Sequence, residues 1–232
     1  MQKRYWLSQD CFVCVAGDSL VCLNISRNSW HVLQGALANA VQGHITGWPR
    51  VEVEEEGSYS PEDVLADLLR RRIIVANPSR GKSAAPIEVA PPERELIAEY
   101  EKVPATIERR DLANFVRAAL LVSLPGLSRR IARRVSGAFP ARRSICPLDH
   151  LAMLSVYGAF ERLRPFLWRR RNQIQCEQFV LLRMLEYRGF DPQWIWAVST
   201  YPYRKNSWIQ CGGVVIDAVP SAISRYVPIL AV

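Results

Sequence analysis

The hydrophobic period of this chain changes at Gly189. Before it, apolar residues recur at helical spacing from near Gln175 to Tyr187; the glycine then ends the helix, with Pro192 just beyond. After it, Trp194-Ile195-Trp196-Ala197-Val198, Ser207-Trp208-Ile209-Gln210-Cys211, Val214-Val215-Ile216-Asp217 and Tyr226-Val227-Pro228-Ile229-Leu230 read as strands. Gly212-Gly213 is the turn of a hairpin between two of them. Upstream, residues 93–102, 110–123, 127–136 and 147–167 also read as helices, broken by Pro125-Gly126 and Pro140. Helices first and an antiparallel sheet last point to an α+β fold.

The first part of the chain is built differently. Residues 4–32 read as three short strands. Ala16-Gly17-Asp18-Ser19 forms a hairpin turn and Ser26-Arg27-Asn28 a second one. Residues 34–43 look helical. Ser60-Pro61-Glu62-Asp63 is a helix start, with an N-cap serine, proline in the first turn and acids against the helix dipole. That helix presents Val64, Leu65, Leu68 and Leu69 on one face and ends near Arg72, after which Ile73-Ile74-Val75 fits a strand. Residues 77–92 have linker composition, from Asn77-Pro78 to Pro91-Pro92. The expected organisation is therefore a small module over 1–76, a linker over 77–92 and a second domain over 93–232.

With 232 residues, of which 49% are hydrophobic, the chain can fill one large core or two small ones. No apolar run reaches the roughly 18 residues that a membrane-spanning helix needs. The start, Met1-Gln2-Lys3-Arg4, leads into an alternating strand and not into the apolar stretch of a signal peptide. The six cysteines follow no disulfide framework, so a reducing cytoplasm is the expected compartment. Cys11 and Cys14 have half the spacing of a zinc site, but no second pair exists, and neither a metal nor any other cofactor is expected. The formal charge is +8, and nine arginines crowd residues 109–143. Such a cluster can meet nucleic acid or an acidic partner, or form the solvated face of helices. No stacking motif or helix-turn-helix pattern accompanies it, so nucleic acid is not an expected partner.

Cys176, near the start of its helix, is placed where the dipole and unpaired N–H groups favour a thiolate. Asp217 ends a strand, where an acid can orient a base. Between them a base is required, and the position holds Asn206, which hydrogen-bonds but takes no proton at neutral pH. The three histidines, His31, His44 and His150, all precede residue 151. Each of these residues also has a plain alternative. Cys176 can be a buried structural thiol, Asn206 a capping or pairing residue of the sheet, and Asp217 a turn residue. Cys146 and His150 lie one helical turn apart and form either a displaced Cys–His couple or a core cysteine beside a surface histidine. In the first module, an edge strand with Trp30 and Val32 beside a helix with Leu65, Leu68 and Leu69 has the makings of a groove for strand addition by a peptide, or is simply core.

The order Gly189-Phe190-Asp191-Pro192-Gln193-Trp194, Tyr201-Pro202-Tyr203, Asn206-Ser207-Trp208-Ile209-Gln210, Val214-Val215-Ile216-Asp217 and Tyr226-Val227-Pro228-Ile229-Leu230 resembles the C-terminal region of lasso-peptide biosynthesis B proteins. Tyr5-Trp6-Leu7-Ser8, Val13-Cys14-Val15-Ala16-Gly17-Asp18, Val21-Cys22-Leu23-Asn24-Ile25 and Gly47-Trp48-Pro49 resemble the same family's leader-recognition domain. The resemblance covers nearly the whole chain. It implies a winged-helix-like recognition module (three strands plus helices) that binds the precursor's leader, through Trp30, Val32, Leu65, Leu68 and Leu69. It also implies a papain- or transglutaminase-like cysteine peptidase domain, with Cys176, Asn206 and Asp217 nearest the catalytic positions. The implied partners are the precursor peptide and an ATP-dependent lasso cyclase of the asparagine-synthetase type.

Two departures sit at the active positions. The family's histidine is Asn206 here. Its nucleophile, about fifteen residues before the glycine, falls on Ile174, with Cys176 two residues late. Two residues on a helix turn a side chain by about 200°. The expected activities are therefore a leader peptidase with an unassigned base, or a leader-binding pseudoenzyme or scaffold.

Overall fold

The computed structural model describes residues 4–53, 57, 59–100, 106–123, 149–167 and 173–232. A short strand, β1 (Trp6–Ser8), precedes a meander of β2 (Cys11–Ala16), β3 (Ser19–Asn24) and β4 (Ser29–Gln34). Ala16 faces Ser19 across a two-residue loop whose first residue, Gly17, has φ +60°. A glycine there carries the backbone twist that joins two right-twisted strands. The sheet order is β2-β3-β4, so β4 is an edge.

Every residue of β3 is buried. The reason lies in strand alternation, which sends successive side chains to opposite faces. Leu20 and Cys22 join Cys11 and Val13 in one core; Val21 and Leu23 join Cys14 and Ala16 in another. The first core is closed by α1 (Gly35–Ala40) and α2 (Pro61–Arg70). The second is the main core of the C-terminal half. The small sheet thus belongs to both halves of the chain. Cys11 and Cys14 fall on its opposite faces, which separates the two thiols.

Helix α2 starts at Pro61 with Ser60 as N-cap, as the sequence indicates. The Ser60 hydroxyl, however, makes no cap bond and donates to Glu62 Oε2 at 3.1 Å. Strand β5 (Ile74–Val75) pairs with β1.

The segment with linker composition is docked against the fold. Within it, β6 (Gly81–Lys82) pairs with the other edge of β1, Ala84 is fully buried, and the Ala90 carbonyl accepts from Gln210 Nε2 at 2.7 Å. Proline and glycine there shape a strap whose backbone finds partners on both halves. Of the helix expected over 93–102, the first part differs: it carries β7 (Arg94–Glu95), and α3 (Ile97–Tyr100) follows, with 101 and 102 outside the described residues. The Glu93 and Leu96 amides donate to Gly213 and Val215 carbonyls, so sheet pairing overrides local helix propensity.

Helix α4 (Arg109–Ser123), helix α5 (His150–Leu163) and helix α6 (Gln173–Tyr187) follow. The helix expected over 127–136, Cys146 and part of the arginine cluster lie outside the described residues. The C-terminal strands are β8 (Gln193–Thr200), β9 (Tyr203–Cys211), β10 (Val214–Val215) and β11 (Val227–Ala231), with α7 (Pro220–Ile223) before the last. They form one sheet in the order β11-β8-β9-β10-β7, antiparallel except for the β10–β7 pair. The helices cover one face, where Trp194, Val198 and Ile209 meet Phe115, Met153, Leu181 and Leu185. Ile195, Ala197, Trp208 and Val215 pack with Ile223 on the other face. The fold is α+β, with small antiparallel sheets near the N-terminus and a larger sheet near the C-terminus. Among the described residues, no helix is long and apolar enough to cross a membrane.

Candidate functional site

The first turn of α6 borders an open cleft of about 720 Å³. Ile174 and Glu177 reach it from the helix, Arg164 from the turn after α5, and Trp196, Lys205, Asn206 and Ser207 from β8 and β9. Trp30, from β4 of the small sheet, completes the wall. The cleft is therefore made by both halves of the chain.

Helical geometry separates the two residues that compete for the nucleophile position. Ile174 is 69% exposed and lines the cleft. Gln178, one turn later on the same side, reaches the strands. Cys176, about 200° round from Ile174, is half-buried and packs against the main core. The residues lining the cleft include Asn206 but no cysteine and no histidine. The histidines are engaged elsewhere. The His31 ring meets Arg71 Nη1 at 3.2 Å, and the His150 ring meets Glu99 Oε2 at 2.6 Å; His44 ends the short turn after α1.

Beneath the cleft lies a saturated polar network centred on Gln178. Its Nε2 donates to the Ser207 carbonyl at 2.7 Å and to Asp217 Oδ2 at 2.9 Å. Its Oε1 accepts from Trp194 Nε1 at 3.0 Å and from Ser207 Oγ at 2.5 Å. Asp217 Oδ1 also accepts from the Ile209 amide at 2.6 Å. Burial pushes the Asp217 carboxyl up to about 6, and the bonds from Ile209 and Gln178 hold it from rising further. Asp217 is thus tied to the helix through a glutamine.

The pairing of β8 with β9 sets Trp196 opposite Ser207 and Ala197 opposite Asn206. Ser207 turns toward α6, while Asn206 borders the cleft from the next position and accepts from the Ser207 amide through Oδ1 at 2.9 Å. Asp217 is bonded to the Ile209 amide and, through Gln178, to Ser207, the neighbour of Asn206 in β9. Gln178, Glu177, Arg164 and Lys205 are not among the site residues expected from the sequence. Gln178 had a visible signal, a polar residue at i+4 from Ile174 on an otherwise apolar helix face.

The residues expected to line the peptide groove divide. Val32 is 48% exposed on the β4 edge. Leu69 is half-buried at the rim. Leu65 and Leu68 are buried in one core cluster with residues of α1, β1 and β3. Trp30, on the same face of β4 as Val32 and away from α2, packs against the main core and walls the cleft. The groove that remains runs between the open edge of β4 and the C-terminal end of α2, where Arg71 meets His31.

Comparison of the chain with models of known protein families, with curated proteins and with solved structures returns no match.

Proposed function

We propose that this chain is a lasso-peptide maturation protein that captures the precursor's leader and does not itself cut it. The observation that carries the reading is the placement of Ile174, and not Cys176, on the cleft beside Asn206. Family spacing assigns nucleophile and base to Ile174 and Asn206, and both positions converge on a single cleft. An aliphatic side chain and an amide supply neither a nucleophile nor a proton acceptor. Helices packed before a C-terminal sheet, with an acid just after the strand that follows the hairpin turn, support a transglutaminase-like ancestry for this half. An open edge strand beside a helix supports a winged-helix-like recognition module for the other, binding the leader by strand addition. The captured precursor would pass to a separate peptidase and to an ATP-dependent cyclase in a cytoplasmic complex.

The test is to mix the purified chain with its precursor peptide. Leader binding, followed by fluorescence anisotropy, is expected without any cleavage product by mass spectrometry, with or without the cyclase. Cleavage that disappears in Cys176→Ala would overturn the reading in favour of a peptidase. Absence of leader binding would overturn the lasso assignment itself.

A further inference from the structure

Two donors stand on the strand side of the cleft without acceptors among the described residues, Trp196 and Lys205, which share one face of the β8–β9 pair. Trp196 is 7% exposed and lines the cleft, and its indole Nε1 is buried with no hydrogen-bond partner among the described residues. A buried donor left unpaired costs about 1–3 kcal/mol, which a ligand acceptor at that point recovers. Lys205 Nζ stands 4.9 Å from the centre of the Trp30 ring and 5.8 Å from that of Tyr203. No carboxylate pairs with it among the described residues. Desolvation draws its pKa below the usual lysine value, the mark of an ammonium partly withdrawn from water. Asn206 borders the cleft from the next position of β9, and its Oδ1 accepts from the Ser207 amide. The helix side is different: Arg164 is already shared between Glu161 at 3.0 Å and Glu177 at 4.0 Å.

We propose that this cleft is a binding subsite for an acidic side chain of an extended peptide, whose carboxylate is received by Trp196 Nε1 and Lys205. The proposal rests on the non-cutting reading above, since it gives the cleft a ligand where that reading removes a reaction. A peptide fits better than a small free acid. The cleft is far larger than one carboxylate, is open at the surface, and has Trp30 as its wall. Trp30 also lies on edge strand β4, so a chain added to that edge leads directly past Trp30 into the donor cluster. The Trp30 and Tyr203 rings hold the ammonium in place while leaving its N–H groups to the ligand.

The experiment uses the full-length chain labelled with ¹⁵N. Its Trp196 indole N–H resonance, assigned by its loss in Trp196→Phe, is followed during titration with acetyl-Ala-Glu-Ala-amide, acetyl-Ala-Gln-Ala-amide and sodium acetate. The glutamate peptide is expected to shift the resonance saturably. It should bind about fivefold or more tightly than the glutamine peptide, the increment of one charge-assisted contact near the surface, and more tightly than acetate. Lys205→Gln is expected to erase the difference between the two peptides. Equal affinity for both peptides, or no shift of the Trp196 resonance, overturns the proposal. An acetate response as strong as that of the glutamate peptide overturns the peptide part and leaves a site for small anions. These probes contain no precursor sequence, so the outcome is independent of whether the chain binds a lasso leader.

Discussion

Gln178 donates its side-chain amide to Asp217 at 2.9 Å, and this bond fastens the start of α6 to the end of the β9–β10 hairpin. The carboxyl is desolvated, and its pKa stands at about 6 against an ordinary 3.8. The sign of the consequence follows from proton counting. Between pH 4 and pH 6 the folded chain holds a proton on Asp217 that the unfolded chain has released, so stability falls as pH rises through this window. The displacement corresponds to up to about 3 kcal/mol for this group. Urea unfolding at pH 4 and at pH 6.5 is expected to show Asp217→Asn gaining on the wild type by roughly this difference as pH rises. A constant gap between the two proteins would show that Asp217 titrates normally.

Val32 and Leu68 separate ligand binding from folding. Val32 sits exposed on the β4 edge, while Leu68 is 1% exposed in the core on the opposite face of the small sheet. Val32→Glu is expected to weaken leader affinity by about tenfold, through lost apolar contact and a charge placed on the strand-addition path, with an unchanged melting temperature. Leu68→Ala is expected to cost about 2–5 kcal/mol of stability. A glutamate at 68 would unfold the module, and so would report nothing about the groove. Anisotropy with a labelled leader peptide and thermal melts of both variants check the pair of outcomes.

The contrast between these two residues shows what periodicity can and cannot tell. The apolar face of α2 was legible as Val64, Leu65, Leu68 and Leu69, because a 3.6-residue period marks a buried stripe. Which of them meets a ligand depends on how deep α1 and β1 close over the helix, and no local pattern encodes that. The same limit explains the strap over residues 77–92. Its proline-rich composition marks irregular backbone, but pairing of Gly81 and Lys82 with β1 depends on residues over seventy positions away. The strands after Gly189 were legible because their alternation, turns and glycines agree. Ile174 and Asn206, singled out by the spacing of the resembled family, both line the cleft, whereas the parts of Trp30 and Arg164 in it were invisible because they arrive from distant elements.

Asp111 and Arg188 form an ion pair at 2.6 Å, joining the start of α4 to the end of α6 with side chains only 1% and 12% exposed. Removing one partner leaves the other desolvated and uncompensated. Arg188→Met is expected to destabilise the chain by about 3–5 kcal/mol, and Asp111→Leu similarly. The double variant Asp111→Leu/Arg188→Met is expected to be more stable than either single variant, because no charge is then stranded. Denaturant midpoints of the three variants check this. Additive losses in the double variant would mean that the two side chains act independently.

Thiol chemistry gives the most direct reading of the α6 terminus. Burial pushes Cys11, Cys14 and Cys211 up to about 12 and Cys22 well above its ordinary value. Their thiolate fraction at pH 7.5 is then about a thousandfold below that of an ordinary cysteine, and native protein treated with iodoacetamide is expected to leave these four unmodified. Ile174→Cys places a thiol at the 69% exposed position in the first turn of α6, where the helix dipole favours the anion. That thiol is expected to alkylate faster than Cys176, as read by peptide mass spectrometry over time. Addition of Asn206→His brings an imidazole to the border of the same cleft, and the double variant is expected to cleave the precursor slowly where neither single variant does. If Cys176 alkylates faster than the residue at 174, the nucleophile position has been assigned to the wrong side of the helix, and the cleft then belongs to a working peptidase.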